Sequence, residues 1–77
     1  MVKIIRDDLA SGESREMGRW EDITTSNAHF FMVNIAQAEC DSIVVSPDIN
    51  SGRSTVKIIN NRGHAIVTFR QEWNDAE

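Results

Sequence analysis

The clearest alternation of apolar and polar positions runs from Ser54 to Trp73. Thr55-Val56-Lys57-Ile58-Ile59 and Ala65-Ile66-Val67-Thr68-Phe69 are rich in β-branched and aromatic residues and flank Asn60-Asn61-Arg62-Gly63. Strand formers on both sides of a turn that accepts positive φ at Asn and Gly predict a β-hairpin over 54–60 and 64–71. A two- or four-residue connection puts Val56, Ile58, Ala65, Val67, Phe69 and Trp73 on one face. Thr55, Lys57, His64, Thr68, Arg70 and Glu72 then share the other, with Ile59 and Ile66 as apolar exceptions. A three-residue loop with Gly63 in a bulge shifts the pairing by one and sets Lys57 beside Val67. The first register separates polar from apolar better and is the expected one.

Helical spacing appears once. Ala28, Phe31, Met32, Ile35 and Ala36 recur as the stripe of a helix lying on a core, widened by Phe30 and Val33. The predicted helix spans about 26–40, capped by Thr25 or Ser26, with an earlier start at Asp22 as the alternative. Glu39 and Asp41 carry the wrong sign for the negative end of the helix dipole, a local inconsistency of the kind that sometimes marks function.

Two further apolar runs read as strands: 2–6, and 42–46, which stops at Pro47. The second is apolar on both faces and predicts a central strand. Pro47-Asp48 and Asn50-Ser51-Gly52 predict a turn into the hairpin. Between the first strand and the helix, residues 7–22 lose periodicity and predict a long acidic loop, anchored by Trp20 and Met17. The fold expected is a two-layer α+β domain, one amphipathic helix on an antiparallel or mixed sheet of about four strands, with 74–77 as a polar tail.

Composition narrows the chemistry. With 77 residues the chain makes one small domain, and its apolar fraction of 40% suffices for a core. A single cysteine, Cys40, rules out an internal disulfide and a multi-cysteine zinc site. With no long apolar run and no secretory leader, the chain reads as a complete cytoplasmic product. His29 and Cys40 fall on one side of the helix but roughly 16 Å apart along its axis, too far to share an ion. Cys40 at a helix C-terminus is poorly placed to form a thiolate. No glycine pattern cradles phosphate. No enzymatic activity, catalytic set, cofactor or metal is therefore expected.

Charge is uneven. Of the net −4, residues 1–41 hold eight acids against four bases, and residues 42–77 four of each. Such a surface repels phosphate at long range and suits a basic protein surface. By size, charge and lack of catalytic residues, the chain is similar in kind to small phage and mobile-element proteins that block host machines, such as anti-CRISPR and anti-restriction proteins. The expected function is accordingly a protein-interaction module that occludes a basic surface through Asp7, Asp8, Glu13, Glu16, Glu21 and Asp22. Two alternatives are a homodimerising structural or regulatory domain and a weak nucleic-acid-binding hairpin. The outer-sheet set Lys57, Ile59, His64, Ile66 and Arg70 serves either.

Overall fold

A computed structural model describes residues 1–46 and 53–74. In chain order the elements are β1 (Val2–Asp8), β2 (Ser14–Trp20), α1 (Thr25–Glu39), β3 (Ile43–Ser46), β4 (Thr55–Ile59) and β5 (Ala65–Trp73). The strands form one five-stranded sheet in the order β2-β1-β5-β4-β3, antiparallel at every pairing. The helix covers one face, which makes this the expected two-layer α+β fold with one strand more. The expected turn at Pro47-Asp48 and Asn50–Gly52 lies outside the described residues, as do 75–77 of the expected tail.

Alternation decides what lies beneath the helix. Ile4 of β1, Val56 and Ile58 of β4, and Val67 and Phe69 of β5 close on Met32 and Ala36 of α1. The helix starts one residue earlier than its pattern suggests. Thr24, not Thr25 or Ser26, is the cap, its Oγ1 accepting from the Asn27 N–H at 3.1 Å. Asp22, the alternative start, instead takes a left-handed conformation with φ 49°, which a short polar side chain tolerates.

The hairpin keeps the faces of the expected register but closes with a three-residue turn, and Lys57 does not lie beside Val67. Val56 pairs with Phe69, Lys57 with Thr68 and Ile58 with Val67, as the even register requires. Near the turn the pairing slips, so that Ile59 faces Ala65 and Ile66 is the extra residue of a bulge. Asn60 N–H then bonds His64 C=O at 2.9 Å, closing the three-residue turn with Gly63 at φ +78°. The Asn60 side chain braces it, accepting from the Arg62 and His64 amides at 2.9 and 3.0 Å.

Residues 7–22 are not a loop. They hold the end of β1, a tight turn and the whole of β2. Asp8 makes the turn: its backbone exchanges bonds with Glu13 and Gly12, and Oδ1 accepts from the Ala10 and Ser11 amides at 3.0 and 3.2 Å. β2 escapes its pattern because it is a polar edge strand with a bulge opposite Ile4 and Ile5. Trp20 and Met17 do pack against the core, as expected of anchors. A second correction concerns β3. It is not central but lies at the opposite edge of the sheet, with Val44 and Val45 exposed.

Candidate functional site

The sheet face without the helix is covered by its own charges. Asp7 on β1 accepts from Ser14 Oγ and from Arg70 Nε at 2.8 Å, and Arg70 also reaches Glu72 at 3.5 Å. The Ser14 hydroxyl first, and Arg70 next, hold the Asp7 carboxyl below the ordinary aspartate range, while the bond to Asp7 chiefly raises the Arg70 guanidinium. On β2, Arg19 grips Glu16 through two bonds of 3.2 and 2.9 Å. Ile5 is buried on this same face, flanked in register by Arg70 and Glu16. Of the outer-sheet candidates, Arg70 is thus committed to carboxylates. Lys57 stands exposed in mid-sheet, while Ile59, His64 and Ile66 gather at one end.

The six acids do not make one surface. Asp7, Asp8 and Glu16 have internal partners: Asp8 holds its turn and lies 3.7 Å from Arg6. Its two amide donors, Ser11 first, lower its pKa. Glu13, Glu21 and Asp22 are exposed, and neither hydrogen bond nor ion pair ties their carboxylates to another described side chain. Glu13 precedes β2 and Glu21 follows it, so the length of that strand, about 23 Å, separates them.

One end of the sheet brings members of both candidate sets together. The Leu9 N–H donates to the Ile66 C=O at 3.0 Å, tying the turn after β1 to the bulge of β5. Both side chains are large, apolar and exposed, Leu9 at 52% and Ile66 at 41%. Ile59 pairs across the sheet beside them, half-buried. Asp8 and Glu13 lie on the β1 side of this apolar centre, and Arg62 and His64 on the β5 side. An apolar centre within a charged rim is the anatomy of a protein interface. Leu9 was missed from sequence. Its signal was a lone large apolar residue in a polar stretch.

The opposite end holds a partly buried polar chain whose direction can be read. The Trp73 indole only donates, and its Nε1–H meets Gln71 Oε1 at 2.8 Å. The Gln71 amide nitrogen therefore faces Ser54, 3.0 Å from its carbonyl and 3.4 Å from Oγ. Ser54 Oγ lies 2.6 Å from His29 Nδ1 on α1. A serine against an imidazole is the start of a nucleophile–base pair. Here, however, the serine is only 4% exposed and its oxygen is enclosed by Gln71 and His29, so the chain acts as a clamp between α1, β4 and β5. Among the described residues no three His, Cys, Asp or Glu side chains gather to hold a metal.

No family model, curated protein or solved structure matches this chain. The functional reading rests on the site itself.

Proposed function

We propose that the chain is a protein-interaction module that binds through the Leu9–Ile66 end of its sheet. The observation that carries this reading is the hydrogen-bonded juxtaposition of two exposed aliphatic residues inside a rim of charge. A small domain rarely leaves adjacent large apolar side chains in water without a use for them. The partner is a protein surface with an apolar hollow beside Lys or Arg side chains, which meet Asp8 and Glu13. The net charge of −4 supports a basic partner over a polyanion. Occlusion of a basic, nucleic-acid-handling surface, in the manner of anti-CRISPR or anti-restriction proteins, is the mechanism this complementarity favours.

Affinity capture from host extract tests it, with wild-type chain beside Leu9→Asp, Ile66→Asp and Glu13→Lys. All three variants are expected to fold and to lose the same captured protein. Capture that survives all three changes overturns the assignment.

A further inference from the structure

The edge strand β3 has the composition of a strand with neighbours on both sides. It reads Ile-Val-Val-Ser without a charge, and Val44 and Val45, on opposite faces, are 43% and 38% exposed. The other edge is guarded in the ways edges usually are: β2 carries Arg15, Glu16 and Arg19 and a bulge.

Backbone parity shows what β3 offers. The Ile59 N–H bonds the Ser42 C=O at 3.0 Å, so Ser42 and Val44 turn their backbone groups toward β4. Those of Ile43 and Val45 turn outward. The Ile43 N–H is engaged locally by the Asp41 carbonyl at 3.1 Å. The Ile43 carbonyl and both polar groups of Val45 face the open edge, and among the described residues nothing pairs with them.

We infer that this edge pairs with β3 of a second copy, antiparallel about a two-fold axis through Val44, to form a continuous sheet with both helices on one face. Residues opposite each other share a face, and the two symmetric registers with the greatest overlap of Ile43–Ser46 set Val44 on Val44 or Val45 on Val45. The second sets Ile43 against Pro47, which has no N–H to give. The first sets Ile43 against Val45 twice, so each Val45 N–H meets an Ile43 C=O. Exchange of the two Ile43–Asp41 bonds completes a ladder of four.

Charge and shape favour a copy as the occupant. The strand carries no charge, and the acidic β1–β2 hairpin lies at the far side of each sheet. The helix supplies an apolar flank above the seam. Phe31 stacks on Trp20 of β2, and His29 bonds Ser54 at the entrance to β4, so the flank carrying His29 and Val33 is turned toward β3. Phe30, 62% exposed, meets the His29 ring edge-on with centroids 5.9 Å apart and adds apolar surface above that flank. The contact is independent of the Leu9–Ile66 end.

Analytical ultracentrifugation over roughly 1 to 500 µM covers the range of weak association. The expected result is a mass rising toward that of two chains. Val44→Lys should move the midpoint at least about tenfold higher by placing like charges opposite each other, while Leu9→Asp leaves it unchanged. In a Cys40→Ala background, Val44→Cys should oxidise to a covalent dimer, since such a pair sits about 4.5 Å apart at Cα, and Lys57→Cys should not. Circular dichroism verifies that each variant is folded. A monomer at every concentration, or a dimer indifferent to Val44→Lys, overturns the inference. So does a Val45 amide that gains exchange protection only on adding an extended segment of another protein, which assigns the edge to a foreign strand.

Discussion

Arg6 on β1 grips Glu39, the last residue of α1, through two hydrogen bonds of 3.0 and 2.7 Å. A carboxylate at the negative end of a helix is locally unfavourable. Here a guanidinium brought from the sheet answers it, and the pair ties the end of the helix to the strand below.

The Arg6 bond holds the Glu39 carboxyl below the ordinary glutamate range. A carboxylate whose folded pKa is depressed contributes stability at neutral pH and loses it as pH falls through that depressed value. Glu39→Gln should therefore cost about 1 kcal/mol at pH 7, modest because the pair is partly exposed. The gap to wild type should close in acid, below the usual glutamate range. Urea titrations of both proteins at neutral and acid pH measure it. An equal gap at both would show that the charge is not what the pair contributes.

Trp20 lies between Gly18 and Phe31. Its ring stacks on Phe31 at 4.8 Å, and a Cβ at position 18 would come within 2.7 Å of the indole. The stacking partner blocks retreat, so Gly18→Val should cost about 1–3 kcal/mol as overpacking. Tryptophan fluorescence and the thermal midpoint should shift together.

Ser54→Ala should destabilise the fold by about 1–3 kcal/mol, because it removes the oxygen between His29 and Gln71 while leaving both buried in part. A double-mutant cycle with His29→Ala should show the two changes to be non-additive, as expected of members of one chain of bonds. Additive losses would mean that the two side chains act separately.

Leu9→Ala and Ile66→Ala remove side chains that are already in water, so each should change stability by no more than about 0.5 kcal/mol. Val67→Ala, one residue along β5 and buried, should cost about 1–3 kcal/mol. Chemical denaturation of the three variants separates a surface kept for binding from one kept for folding.

The helix and the β4–β5 hairpin were legible because burial of one face imposed a period on each. The polar strand β2 was not: Ser14, Arg15, Glu16 and Arg19 are exposed, Gly18 has no side chain, and the bulge breaks what alternation remains. β3 was legible as a strand, but apolarity on both faces pointed to a central place it does not occupy within one chain. Of the candidate site, the acids and the Ile59–Ile66 exception could be named, but not their meeting. Leu9 and Ile66 are distant in sequence, and only the order β1-β5 brings them together. The bonds from Trp73 to His29 were likewise hidden, since each residue taken alone is an ordinary polar or aromatic side chain.

The contrast between the two sheet edges bears on how large an assembly can become. A chain with two open edges could add copies without end and grow into a fibre. Here the charged, bulged β2 edge resists any newcomer, so a pairing at β3 uses up the edge that invites addition. Because the axis reverses strand direction, the Leu9–Ile66 ends of the two copies would point opposite ways. The finished particle would then be a two-headed object able to bridge two targets, its size fixed by a few charged residues on the opposite edge strand.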